Sequence, residues 1–312
     1  MGWRTVFISN KNTLSLFLNN LVIKSDETSL SNFKKGGKTI SVPLNDISVI
    51  ILDNIQINIS VSLLSKFADE GISLFICDDK HMPVGLYTPF NNHSRFTGIS
   101  KSQIGLTEPF KKRCWQKIIQ AKILNQANVI KSLHPGNYIL LENLSKKVLS
   151  GDTSNIEGQS AKIYWKSLFV DFTRTNKLSK IKNADIRNIA LNYGYSIIRG
   201  TIARSIAAAG LFPSLGIHHS NDLNAFNLAD DLIEPFRPFI DIEVYNMYKD
   251  NNVFAKDFTK IEKIKLLELL HKSVAIDNKE EIILNAIEQN IYSFVKAIKE
   301  KKPDNILFPL FL

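Results

Sequence analysis

The sequence predicts an α+β protein of two domains, a small N-terminal β-sheet domain with one helix and a larger C-terminal all-α domain. Three observations predict it. Over residues 1–90 apolar side chains come in short β-branched or aromatic runs separated by Asn, Lys, Gly and Ser clusters. From residue 108 onward they recur at helical spacing instead. The charge balance changes at the same place: residues 1–100 hold 9 Lys/Arg and 8 Asp/Glu, whereas residues 101–204 hold 18 and 6. The expected division is 1–90, a linker over 91–107, and 108–312.

In order, the spacing predicts strands over 4–8, 13–18, 21–24, 39–43 and 47–52. Turns at Asn10-Lys11-Asn12 and Asn19-Asn20 suggest consecutive hairpins, and 34–38 is a basic, flexible loop. Val61, Leu64, Phe67 and Ala68 lie on one helical face, with Ser60 to start that helix and Gly71 to end it. Strands over 72–77 and 84–87 complete the sheet. Pro89, Asn91, Asn92, Ser94, Gly98, Ser100 and Ser102 then read as an exposed linker.

Residues 108–133 form the first long helix, with Trp115, Ile118, Ile119, Ile123 and Val129 as its apolar face. A second spans 138–150. Ser154 stands three residues before Glu157, and that spacing alone makes Glu157 the glutamate of a capping box. Residues 171–182 are a basic loop, and a long helix runs from Asn183 or Asp185 to Gly210. Pro235 and Pro238 should kink or delay the helix that continues over 240–249. Helices over 260–271 and 280–301 follow. The tail 306–312 is strongly apolar and must bury itself in this chain or in a partner.

Composition narrows the class. A hydrophobic share of 44% over 312 residues supports a packed core and excludes wholesale disorder. Cys77 and Cys114 sit in apolar segments, so no disulfide framework is expected and a reducing cytoplasm fits. The N-terminus reads as a strand rather than a signal peptide, and no apolar run is long enough to span a bilayer. A net charge of +9 concentrated in 101–204 suggests a phosphate backbone as partner, against the plain alternative of a solvated basic surface.

The chemistry-bearing stretch is 210–241. His218 and His219 stand side by side, and Asp230, Asp231 and Glu234 follow within two helical turns. Asp231 and Glu234, three apart, share a face. Imidazole plus carboxylates is a ligand set for Mn²⁺ or Mg²⁺, with Glu157 the candidate third anchor. Each residue also has a plain reading: acids at a helix start favour its dipole, and Glu234 can pair with Arg237.

Three blocks carry a family resemblance. They are Ile156-Glu157-Gly158-Gln159-Ser160-Ala161, the run Asn188-Ile189-Ala190-Leu191-Asn192-Tyr193-Gly194-Tyr195 leading through 207–216 to Ile217-His218-His219, and Phe226-Asn227-Leu228-Ala229-Asp230-Asp231-Leu232-Ile233-Glu234-Pro235-Phe236-Arg237-Pro238. Together they resemble the CRISPR-associated endonuclease/integrase of spacer acquisition, the first of the numbered Cas proteins, in the branch found beside the large RNA-guided effector nuclease (type II). The resemblance implies that the C-terminal domain is catalytic and carries a metal site, that the N-terminal domain dimerises, and that Glu157, His219 and Glu234 hold Mg²⁺ or Mn²⁺. A Gly-x-x-His block, here Gly216 to His219, selects His219 over His218, and Asp231 stands as a possible accessory ligand. It also implies double-stranded DNA (pre-spacer and CRISPR repeat) as substrate, a homodimer, and a small second Cas protein bridging two dimers. Lys111, Lys112, Arg113, Arg174, Lys177, Lys180, Lys182 and Arg237 are the candidate DNA contacts. The rival readings are a structure-specific nuclease of branched DNA in repair and a non-catalytic DNA-binding scaffold.

Overall fold

The run Ile-Ser-Val-Ile-Ile-Leu decides the N-terminal architecture in the computed structural model of the chain, which describes residues 4–25, 39–79, 82–87, 96–133, 138–169, 171–175, 185–249 and 258–312. It forms strand β5 (Ile47–Leu52), buried at every position. A strand covered on both faces cannot alternate apolar and polar residues, and such strands belong inside parallel sheets. β5 pairs in parallel with β1 (Arg4–Ile8) on one side and β7 (Ser73–Cys77) on the other, and β8 (Pro83–Tyr87) adds an antiparallel edge.

A second sheet has the order β4–β3–β2–β6, from β2 (Asn12–Phe17), β3 (Asn20–Ser25), β4 (Thr39–Pro43) and the short β6 (Asn58–Ile59). Helix α1 (Val61–Glu70) starts at Ser60, whose hydroxyl accepts the Leu63 N–H, and stops at Gly71 in the left-handed region. Its Leu63 and Phe67 close the core with Leu14, Leu21, Leu44, Ile50 and Leu74. One expectation fails here. Asn10-Lys11-Asn12 closes no hairpin, because β1 pairs with β5 and β2 belongs to the other sheet. The Asn19 turn does close one, joining β2 to β3 with Leu18 and Asn19 at positive φ.

The chain divides into two compact units, Met1–Ser94 and Arg95–Leu312. The second contains α2 (Phe96–Ile104), so most of the expected linker is helix. One side of it is packed through buried polar groups, while Thr97, Gly98 and Ser102 stay exposed. Ser100 donates to Gly210 O at 3.1 Å, and Gln103 Nε2 donates to Phe212 O and Leu215 O, each at 3.0 Å. The 34–38 loop and most of the basic 171–182 loop lie outside the described residues.

Helix α3 (Glu108–Leu133) is the axis of the second unit, 26 residues and about 39 Å long. Against it pack α4 (Tyr138–Lys147), α5 (Ile156–Leu168), α7 (Asn227–Leu232), a 3-10 turn over Glu234–Phe236 and α8 (Arg237–Tyr248), while α6 (Ile186–Ala208) packs on α7, α8, α9 (Lys260–Glu268) and α10 (Ile283–Glu300). Pro235 and Pro238 sit in the first turns of their elements, where a missing N–H costs nothing. The unit is not all-α. A hairpin of β9 (Ser273–Ile276) and β10 (Lys279–Ile282) precedes α10, turning at Asp277-Asn278 with both residues at positive φ.

The apolar tail packs onto this chain and buries Ile306 and Pro309, while Leu310 and Leu312 stay exposed. Leu310 exchanges two backbone hydrogen bonds with Ala275, and Asn290 Nδ2 donates to Leu307 O at 2.6 Å. Among the described residues no helix is long and apolar enough to cross a membrane.

Candidate metal centre

The start of α5 frees Glu157 from the capping duty its spacing suggests. Asp152 accepts the N–H groups of Ile156 and Glu157 at 2.8 and 3.0 Å, and Asn155 accepts that of Gly158 at 3.1 Å. The helix cap is therefore Asn155, not Ser154, and the donors of the first turn are satisfied without the Glu157 carboxylate. Gly158 is part of that device, since a Cβ there would lie 2.7 Å from Asn155 Oδ1. The freed Glu157 Oε1 instead accepts a hydrogen bond from Lys122 Nζ of α3 at 2.5 Å.

The same ammonium meets Glu234. Glu234 Oε2 lies 2.6 Å from Lys122 Nζ, a charge contact without hydrogen-bond alignment, and Oε1 accepts from Arg237 Nε at 2.9 Å. Glu157 and Glu234, 77 positions apart in sequence, thus converge on one cation. Burial alone would raise the Glu234 carboxyl, but the charges of Arg237 and Lys122 outweigh it and hold its pKa down at about 2. Behind Arg237 lies a buried polar network. Its guanidinium stacks over Tyr195, and the Tyr195 and Tyr164 hydroxyls both donate to Asp241. Burial pushes the Asp241 carboxyl up to about 6, the two tyrosine hydrogen bonds acting against it.

His219 is aimed by Asp231. The loop 216–219 wraps the fully buried Asp231 carboxylate, which accepts the N–H groups of Ile217, His218 and His219 at 2.5, 3.1 and 3.1 Å. Gly216 makes the wrap possible, because a Cβ there would fall 2.2 Å from His219 O. Asp231 Oδ1 also lies 2.7 Å from His219 Nδ1. In the neutral ring that contact fixes the proton on Nδ1, so Nε2 carries the lone pair. The hydrogen bond to Asp231 raises the His219 pKa, partial burial opposes it, and the charges of Asp231, Glu234 and Asp230 add to the rise. Asp231 is therefore spent on the loop and the imidazole rather than held ready as an accessory ligand. Asp230 is clasped by Arg199 at 2.5 and 2.9 Å. His218 stacks face to face on Trp115 of α3, ring centres 4.1 Å apart. A cleft of about 440 Å³, lined by Gln103, Lys111, Gly216, His219 and Asn221, opens beside the histidine.

The two carboxylates fit a divalent cation. Glu234 Oε2 is buried without a hydrogen bond, and an ammonium already stands where an ion shared by both groups would lie. His219 is not drawn in as closely. Among the described residues no three His, Cys, Asp or Glu side chains are grouped tightly enough to hold a metal. Lys122 is the site residue that sequence reading counts only as a charge around α3. Spacing does not single it out, because Gln116, Lys117, Gln120 and Asn128 are also polar on this helix, and its role comes from the two carboxylates it meets.

The candidate DNA contacts separate. Lys111 pairs with Glu108 at 3.1 Å, the Lys112 stem lies against Gly151, and Arg113 is exposed. Arg174 faces inward. It donates to Asn188 Oδ1 at 2.9 Å and Asn192 Oδ1 at 2.7 Å, and burial pushes its pKa down. Arg237 holds Glu234. Lys177, Lys180 and Lys182 lie outside the described residues.

The profile of the family "CRISPR associated protein Cas1" matches residues 8–277. The chain belongs to the Cas1 family. It is 36% identical over its whole length, and over 97% of the relative, to the CRISPR-associated endonuclease Cas1 of Neisseria meningitidis. To a Cas1 endonuclease of Thermodesulfovibrio yellowstonii it is 28% identical, covering 83% of this chain and 84% of that one. Membership places it among the CRISPR-associated nuclease–integrases. Solved structures with a similar fold include a casposase bound to its integration product (TM-score 0.75, 19% identity, 96% of this chain and 92% of that one). Another is the Cas1 protein of Thermotoga maritima (TM-score 0.73, 17% identity, 95% and 97%).

Proposed function

We propose that the chain is a divalent-metal-dependent DNA integrase that joins the 3′-hydroxyl ends of captured spacer DNA to a CRISPR repeat by transesterification. The observation that supports this most is the meeting of Glu157 and Glu234 at a single cation position, with the His219 imidazole near enough to Glu234 to feel its charge. Glu157, Glu234 and His219 Nε2 would hold Mg²⁺ or Mn²⁺, whose chemistry when bound is Lewis-acid charge at a phosphodiester oxygen. Arg237 keeps Glu234 ionised and oriented. In the neutral imidazole Asp231 holds the proton on Nδ1, which makes Nε2 the nitrogen available to the ion.

In the joining step the 3′-oxygen loses its proton and attacks phosphorus in line. One P–O bond forms as the bond to the repeat's own 3′-oxygen breaks, so the number of phosphodiesters is unchanged. With water as nucleophile the same site would hydrolyse DNA. The basic surface of 101–204 is proposed to carry the duplex through phosphates. A homodimer through the β-rich unit and a small second Cas protein as bridging partner complete the reading. Membership in Cas1 and a solved Cas6-RT-Cas1–Cas2 complex of similar fold (TM-score 0.71, 15% identity, 97% of this chain and 36% of that one) lend it support.

Incubation with a pre-spacer duplex and a repeat-bearing plasmid tests it. Joined spacer–repeat product is expected. Cleavage of branched DNA without joining would favour the repair nuclease, and metal-independent binding without any product would favour the scaffold.

A further inference from the structure

We propose that Lys122 is the resident counter-ion of the Glu157–Glu234 pair, and that a divalent cation enters the site by displacing it. The inference rests on the reading of these two glutamates as metal ligands. Lys122 reaches them from the middle of α3 with only 12% of its side chain exposed. Its Nζ stands 2.5 Å from Glu157 Oε1 and 2.6 Å from Glu234 Oε2, so the two oxygens are separated by no more than the sum of those distances. A divalent ion shared by two carboxylates lies about 2.0–2.6 Å from each oxygen. The ammonium nitrogen therefore occupies the space of such an ion, and both cannot fit between the same two atoms.

Two like charges this close, one of them on the buried Glu234, repel unless a cation lies between them. Arg237 does not serve both, since it binds Glu234 alone from the far side at Oε1. Without metal, Lys122 is the group that keeps Glu157 of α5 and the 234–236 turn together. With metal, its ammonium must swing out. The residue thus sets both the stability of the metal-free site and its affinity for the ion. It is a positioning residue, acting through the two carboxylates.

The test uses full-length metal-free protein and Mn²⁺ as the probe, read by calorimetric titration and by melting temperature. Lys122→Met should melt below wild type without metal. It should bind Mn²⁺ at least about tenfold more tightly, with a larger Mn²⁺-induced rise in melting temperature. Unchanged or weaker Mn²⁺ binding by a folded Lys122→Met would overturn the displacement, provided that Glu234→Ala abolishes binding. If Glu234→Ala instead binds Mn²⁺ like wild type, the metal-site reading itself is wrong. A measurement on wild type guards against a variant that fails to fold. Acylation of Lys122 by a small amine-reactive ester, followed by mass spectrometry, should increase on adding Mn²⁺ as the ammonium is released. Labelling that is unchanged or reduced by Mn²⁺ would refute the proposal.

Discussion

At the scale of single residues, the centre works by assigning each carboxylate one duty. Asp152 caps α5 so that Glu157 need not. Asp231 spends its lone pairs on three backbone donors and an imidazole. Asp241 ends the chain of groups that begins at Glu234, and its burial gives the protein a pH signature. A carboxyl whose folded pKa is raised to about 6 from an ordinary 3.8 favours folding most below pH 3.8. That contribution is lost as pH rises through 6, and its size is roughly 2–3 kcal/mol. Asp241→Asn should therefore flatten the stability curve between pH 4 and 6. Urea midpoints measured across that window check it, and a variant curve parallel to wild type would deny that Asp241 titrates there.

At the scale of elements, α3 does the organising, and the tail is tied into it. The buried Asn125 donates to Pro235 O, beside Glu234, and to Pro309 O of the tail, each at 2.9 Å, and accepts the Phe311 N–H at 3.0 Å. One amide thus joins the axis, the Glu234 turn and the C-terminus. Asn125→Ala strands two buried carbonyls, at about 1–3 kcal/mol each, and the half-buried Phe311 N–H. A fall in melting temperature is expected, together with proteolytic release of the tail. If the tail stays protected and the melting point unchanged, the strap is not holding.

The same elements explain what could be read from sequence. Ser60 and Gly71 mark α1 because caps are local chemistry, and Ile47–Leu52 declares a fully buried strand. The partner of β1 is settled by pairing across some forty residues, and a local turn signal at 10–12 says nothing of that. Gly98, Ser100 and Ser102 have linker composition, yet α2 is held by contacts to 210–215 that no window of sequence contains. The Asp277-Asn278 turn is a local signal, two residues suited to positive φ, and it closes the hairpin that interrupts the helical stretch. At the site, the family blocks pointed to Glu157, His219 and Glu234. The role of Lys122 is not legible in the sequence, because it comes only from the two carboxylates it meets.

At the scale of the whole molecule, the two units differ in charge. The excess of Lys/Arg falls in 101–204, while the first hundred residues are nearly neutral and expose Phe17, Leu18 and Val61. A nearly neutral surface is the less costly one to bury in an interface. Removal of residues 1–94 should convert a dimer to a monomer in sedimentation, and a truncated protein that still sediments as a dimer would place the interface elsewhere. The central claim is that Glu157, His219 and Glu234 form the catalytic metal centre, apart from the surface that binds DNA. It is tested most directly by comparing Glu234→Ala with wild type in one preparation, reading gel-shift affinity over a salt series and strand-joining yield at saturating protein. Loss of one oriented electrostatic contact should lower joining ~10²–10³-fold or more. DNA affinity and its salt slope should stay as they are, because no phosphate contact is removed. Wild-type joining by Glu234→Ala, with DNA binding unchanged, would contradict the account.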